Sequence, residues 1–157
     1  MNAEHKQALY LEAEKELISI TEGEKNVTAL MATVSCILAQ KFDYYFWTGF
    51  YIVDPEKENE LVVGPYQGTL GCLRIPFGRG VCGTAAATLE TQLVEDVHAF
   101  PGHIACDSRS NSEIVVPVLN VQGQLIAVLD VDSVDIGSFD ETDRVALETL
   151  MQRIFAQ

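Results

Sequence analysis

Two stretches with a helical hydrophobic period open the chain. Over residues 3–20, Leu9, Ala13 and Leu17 recur at four-residue intervals, with Glu12, Lys15 and Glu16 toward water. The run Glu22-Gly23-Glu24-Lys25 breaks this helix, and Asn26 is placed to cap a second one reaching Phe42. There Val27, Leu30, Met31, Val34, Ile37 and Leu38 follow the i, i+3, i+4, i+7 spacing of an amphipathic helix. Its other side carries Ala29, Ala32, Thr33, Cys36 and Gln40, a small-residue face suited to close contact with the first helix or with another subunit. Cys36 reads there as a packing thiol.

Residues 44–53 (YYFWTGFYIV) change the period to two, with aromatic and β-branched side chains up to the turn Asp54-Pro55-Glu56. Phe46, Thr48, Phe50 and Ile52 share one strand face; Trp47, Gly49, Tyr51 and Val53 share the other. A returning strand is predicted at 60–66 and a short one at 73–76. Gly78-Arg79-Gly80 then leads into VCGTAAATLE, a short helix whose small side chains allow tight packing on a sheet. Residues 96–111, rich in Pro, Gly, His and Ser, read as loop. EIVVPVLN and LIAVLDVDS, joined by Val121-Gln122-Gly123-Gln124, form an antiparallel hairpin. A last helix starts near Phe139, with Ser138 and Glu141 at capping-box spacing and Val145, Leu147, Leu150, Met151 and Ile154 as its apolar contacts. The order predicts an α+β fold: one domain over residues 1–157, with a largely antiparallel central sheet. Its terminal helices lie on one face, and the loops and short helix on the other.

The hairpin carries the first chemical signal. With Gln122-Gly123 at the centre of the turn, Glu113 pairs with Asp132 and Val115 with Asp130, all pointing to one face. Three carboxylates then crowd one end of an apolar hairpin. Crowding raises at least one pKa, so the group can bind an ammonium and supply a proton; a solvated strand end is the plainer reading.

Composition narrows the partners. A formal charge of −13 over 157 residues excludes nucleic acid and anionic membrane, which need clustered Lys and Arg. No apolar run approaches the roughly 18 residues of a membrane span, and the charged N-terminus lacks the core of a signal peptide. A cytoplasmic protein is expected, and in that reducing compartment the four cysteines are core thiols, metal ligands or redox groups.

Three of those cysteines, Cys72, Cys82 and Cys106, lie in the irregular region with His98 and His103. A zinc site from this set lacks the paired spacings of zinc-binding motifs. Cys82, among Gly, Thr and Ala, reads most simply as core. Cys106 sits in a polar loop with His103, Asp107 and Arg109, where Arg109 or a histidine would stabilise a thiolate. A reactive thiol with a second cysteine in a Gly-rich loop is the layout of a peroxidatic or reductase pair.

At the level of whole blocks, the chain resembles the free methionine-(R)-sulfoxide reductases of the GAF-domain family. WTGFY, GPYQG, CLRIPFGRGVCGTAA, TQLVEDVHAFPGHIACDS, SEIVVPV and LIAVLDVDS carry the likeness over nearly its full length. The resemblance implies a single GAF domain, commonly a homodimer. It implies Cys106 as the nucleophile toward the sulfoxide sulfur and Cys72 as the resolving cysteine, with an auxiliary role for Cys82. It places Glu113, Asp130 and Asp132 around the substrate ammonium and sulfoxide oxygen, and Trp47 and Tyr51 around the methyl-sulfur group. It implies recycling by thioredoxin, with no metal, flavin or nucleotide. Two alternatives remain at this level: a GAF module sensing a small ligand such as a cyclic nucleotide, and a thiol redox switch without reductase turnover.

Overall fold

The computed structural model describes residues 1–157. Helices α1 (Ala3–Thr21) and α2 (Val27–Lys41) begin where an asparagine can close the first turn. Asn2 Oδ1 accepts the His5 N–H at 2.9 Å, and Asn26 Oδ1 accepts that of Ala29 at 3.0 Å. Strands β1 (Trp47–Val53) and β2 (Glu60–Gln67) follow, then β3 (Arg74–Pro76), α3 (Gly80–Thr88) and β4 (Gln92–Val94). A single 3-10 turn at Val97–Ala99 precedes β5 (Ser112–Leu119), β6 (Leu125–Ser133) and α4 (Glu141–Phe155). The six strands form one sheet in the order β3-β2-β1-β6-β5-β4, and every neighbouring pair is antiparallel.

That sheet separates two apolar cores. The larger fills the space between the sheet and α1, α2 and α4, with Leu17, Met31, Leu38, Phe50, Leu129 and Leu147 fully buried. The smaller lies under α3 and the loops, built on Trp47, Tyr51, Leu61, Val115 and Val128. The expected division, terminal helices on one face and loops with the short helix on the other, is the observed one.

Five local expectations are corrected. β1 starts at Trp47 rather than Tyr44, because a turn in which the Tyr45 N–H meets the Phe42 carbonyl redirects the chain. Phe46, grouped by alternation with Phe50, packs instead with the loop-side core. α4 is capped by Asp140 in a reciprocal box with Asp143, not by Ser138, whose hydroxyl bonds Ser133 at 2.7 Å. Val145, expected to pack, is exposed. The small-residue face of α2 is not covered by α1: Ala29, Ala32 and Gln40 are exposed and Cys36 is a half-buried free thiol.

The hairpin reaches its expected register by a different route. Its turn centres on Val121-Gln122, with Gly123 in the left-handed region at φ +79° donating to the Asn120 carbonyl at 3.0 Å. That is one residue off the expected centre. An extra residue in β6 between Leu125 and Ala127 restores the offset, so Glu113 still opposes Asp132 and Val115 opposes Asp130.

α1 is locked to α4 by charge as well as by packing. The fully buried Asp143 accepts from Lys6 Nζ, Tyr10 Oη and Tyr44 Oη, each at 2.6 Å, and from the Asp140 N–H at 2.8 Å. Every lone-pair direction of this carboxylate is used, the condition under which a buried ion is tolerated. Lys6→Met should lower unfolding free energy by about 3 kcal/mol in urea titrations, because it leaves Asp143 buried without its cation. A loss under about 1 kcal/mol would show that the two tyrosines satisfy the carboxylate alone.

Candidate functional site

Cross-strand rows assemble one wall of the site. Asp132 stands between Glu113 on β5 and Trp47 on β1, and in the next row Asp130 stands between Val115 and Gly49. Directly opposed residues on one face lie about 4.5–5.5 Å apart, so the three carboxylates and the indole are neighbours by topology alone. Tyr51, two positions beyond Gly49, stacks on Trp47 with ring centroids 5.7 Å apart and planes 18° from parallel. Trp47 stacks equally on Tyr66, at 4.9 Å and 20°. The opposite wall is the first turn of α3, Gly80, Val81 and Cys82, and the loops on either side supply Gly71, His103 and Cys106. Between them is a cavity of about 40 Å³.

The loop after β2 is pinned to the aromatic wall. Trp47 Nε1 donates to the Thr69 carbonyl at 2.8 Å, and a Cβ on Gly71 would meet Trp47 Cζ2 at 2.9 Å and the Tyr51 hydroxyl at 3.1 Å. Glycine is what lets the chain lie this flat against the indole. One residue further, Cys72 forms a disulfide with Cys106, 34 positions later, across a Cα–Cα distance of 5.3 Å. That spacing lies in the ordinary range for a bridged pair. Cys106 is exposed and Cys72 half-buried. A second clasp joins the same two loops: the Thr69 hydroxyl donates to Asp107 Oδ2 at 2.7 Å.

Asp107 also receives Arg109, Nη2 at 2.7 Å and Nε at 3.0 Å, and these bonds hold its carboxyl well below the usual range. The Arg109 guanidinium lies 5.1 Å over the Phe46 ring. With Cys106 in the disulfide, its charge is matched by Asp107. His103 turns to the carboxylates, with Nε2 3.8 Å from Glu113 Oε1, and burial pushes its pKa down. His98 bonds Asn111 at 2.9 Å on an exposed surface. The cysteine–histidine grouping weighed for zinc is thus not assembled, two of its thiols being joined to each other. Cys82 Sγ, Glu113 and Asp130 instead bring their ligand atoms within 4.8 Å of one another.

The electrostatics are those of a site short of positive charge. Burial, and then the repulsion of Asp132, raises Glu113 well above the usual carboxylate range. Burial and Glu113 do the same to Asp130; burial and Asp130 do it to Asp132. Cys82 is raised by burial and by the same carboxylates, so its sulfur is held as the thiol. Asp130 is only 5% exposed, and its Oδ1 has no hydrogen-bond partner. An unpaired buried oxygen beside carboxyls that hold protons suits a ligand that brings donors of its own. Across the cavity, Arg79 caps α3 without a side-chain bond of its own to the helix, is exposed and has no carboxylate partner. The N-terminal N–H groups of α3 add to its positive end.

All the residues singled out from the sequence, Trp47, Tyr51, Cys72, Cys82, Cys106, Glu113, Asp130 and Asp132, line this cavity or adjoin it through the disulfide. The sequence reading missed the Thr69–Asp107 clasp, the His103–Glu113 approach and Arg79. Arg79 had a signal, a cation between two glycines at a helix start. The clasp had none, since it depends on how two loops meet.

The GAF domain family model matches residues 24–154. The chain is 42% identical over 150 residues to the free methionine-R-sulfoxide reductase of Escherichia coli, covering 96% of this chain and 88% of that protein. The crystal structure of free methionine-R-sulfoxide reductase from Neisseria meningitidis in complex with its substrate superposes with a TM-score of 0.90 at 47% identity, over 95% of this chain and 87% of that one. The reduced form of the Staphylococcus aureus reductase superposes with a TM-score of 0.87 at 42% identity, covering 92% of each chain.

The crowded carboxylates make a stability prediction with a definite sign. A folded pKa above the unfolded value means that stability is lost as pH rises from the ordinary carboxylate range toward the raised value. Asp130→Asn should therefore match the parent near pH 4 and exceed it by about 1–2 kcal/mol at pH 8 in denaturant titrations. A variant less stable than the parent at pH 8 would show that the Asp130 charge is satisfied in the fold.

Proposed function

The chain belongs to the GAF-domain family, in its free methionine-(R)-sulfoxide reductase branch, and from that premise we propose that it reduces free L-methionine (R)-S-oxide to L-methionine. The observation that carries the reading is the Cys72–Cys106 disulfide standing at the edge of a cavity with an aromatic wall and an acidic one. That bond is the product such a reaction leaves behind.

In the proposed cycle the Cys106 thiolate attacks the sulfoxide sulfur. Glu113, whose carboxyl burial and its neighbours push well above the usual carboxylate range, donates to the sulfoxide oxygen. The S–O bond breaks, the oxygen passes to Cys106 as a sulfenic acid, and methionine departs, reduced by two electrons. The Cys72 thiol then attacks the sulfenic sulfur, releasing water and forming the disulfide. Reduced thioredoxin returns both cysteines to thiols. No step needs a metal or an organic cofactor.

Binding follows the charge pattern. Asp130 and Asp132 take the ammonium, which can donate to the unpaired Asp130 Oδ1. Trp47 and Tyr51 enclose the methyl-sulfur group. The α-carboxylate faces the N-terminus of α3 and Arg79. A peptide-bound methionine sulfoxide lacks the ammonium and leaves the carboxylates unpaired, so the free amino acid is selected. Cys82, a thiol among these groups, has the auxiliary role in oxidised forms.

Residues 1–157 act as one GAF domain. The family model begins after α1, yet the Lys6–Asp143 bond ties that helix to the rest. The exposed small-residue face of α2 supports a homodimer. The protein works in the cytoplasm with no nucleic-acid or membrane partner; no helix is long and apolar enough to cross a membrane. The disulfide also fits a thiol switch that responds to peroxide without turning over sulfoxide, and preference for the R sulfoxide over peroxide separates the two.

Cys106→Ser should abolish methionine formation, whereas Cys72→Ser should release one methionine per chain and then stop with thioredoxin as the only reductant. Amino-acid analysis after single and multiple turnover reads both; near-normal single turnover by Cys106→Ser would remove it as nucleophile. Glu113→Gln should lower kcat about 100-fold, whereas Asp132→Asn should act chiefly on KM. The reverse pattern would exchange their roles.

A further inference from the structure

The two most exposed large hydrophobic side chains in the chain flank one half of the disulfide. Leu70 is 80% exposed and Leu73 is 71% exposed, two residues before and one after Cys72. Exposure here does not come from a loose backbone. The Leu73 carbonyl accepts the Val63 N–H at 2.9 Å, and the Thr69 carbonyl is held by Trp47 at 2.8 Å. The segment is thus anchored at both ends with its leucines turned to water. On the other half, Ala105 and Cys106 are exposed as well. A disulfide framed by fixed, exposed apolar side chains is a surface prepared for a partner that covers it.

Redox chemistry limits that partner. The bond is opened only by a thiolate approaching along the S–S axis, so whatever reduces it must come to rest on these side chains. A small thiol needs no apolar frame. A protein dithiol has a surface around its attacking sulfur that must be desolvated against something. We propose that Leu70 and Leu73 form the docking surface for a protein dithiol that attacks Cys72 Sγ. The inference rests on the reductase reading above and names the surface its reductant uses.

In the step itself the donor thiolate bonds to Cys72 Sγ, the Cys72–Cys106 bond breaks, and Cys106 leaves as a thiolate, the form in which it next attacks. The donor's second thiol then attacks its own sulfur in the mixed disulfide. Cys72 leaves as a thiolate and takes up a proton; the donor is oxidised by two electrons to its disulfide. Docking on the Cys72 side therefore returns the nucleophile in the first exchange.

Leu73 lies outside the cavity lining, so it can be changed without touching the substrate site. The experiment uses the oxidised full-length protein, with reduced thioredoxin and, separately, dithiothreitol as donors. Leu73→Ser should slow reduction by thioredoxin about tenfold and leave the dithiothreitol rate within about twofold of the parent. A thioredoxin variant lacking its second cysteine should be trapped on Cys72, identified by peptide mass. An unchanged thioredoxin rate, an equal loss with both donors, or trapping on Cys106 would overturn the proposal. Single-turnover methionine formation by the pre-reduced parent and variant is measured alongside. A parent that fails there loses the reductase reading, whereas the ratio of the two donor rates judges the docking surface by itself.

Discussion

Three carboxylates, two of them buried and the third half-buried, share one patch with a buried thiol and no cation among them, and the rest of the molecule is arranged around that constraint. Left ionised, such a group would repel itself and forfeit its hydration. The fold holds the patch by burial that favours the uncharged carboxyls and by placing it on the most firmly paired part of the sheet, the β5–β6 hairpin and its neighbour β1. Loops could not hold Glu113, Asp130 and Asp132 together against their own repulsion. A sheet can, since each side chain's place is fixed by backbone bonds to both neighbours.

The two cores divide the work of carrying this patch. The helical side supplies most of the apolar burial and ends in the satisfied Asp143 network, where every charge has a partner. The loop side is thinner and contains the unpaired Asp130 Oδ1. Most of the apolar packing and the reactive groups thus sit on opposite faces of one sheet.

What could be read from the sequence follows from the range of the interactions involved. Helices and strands came from hydrophobic period, a local property, and their alternation placed Trp47 with Tyr51 and Glu113 with Asp130 and Asp132. The hairpin is instructive. Its turn was misread by one residue and its bulge was invisible, yet the two errors cancel, because burial of one face admits no other register. Short β4 escaped because three residues carry no period. The cap of α4 was misplaced because Ser138 and Asp140 both have capping chemistry, and only the path of the chain after Ser133 decides between them. His103, Arg79 and the Asp107 clasp depend on loop against loop. Family resemblance could name the cysteines, but not the contacts that bring them together.

The clasp between Thr69 and Asp107 is chemically independent of the bond beside it. Neither this hydrogen bond nor the indole's hold on the Thr69 carbonyl involves sulfur, so opening the Cys72–Cys106 bridge removes a partner from neither. The two loops stay tethered, and the resolving thiol keeps a high effective molarity toward its partner. A sulfenic acid formed on Cys106 is then met by a neighbour already in place rather than by whatever oxidant or thiol diffuses in. A threonine and an aspartate outside the chemistry thus bear on how far such a thiol is exposed to irreversible over-oxidation.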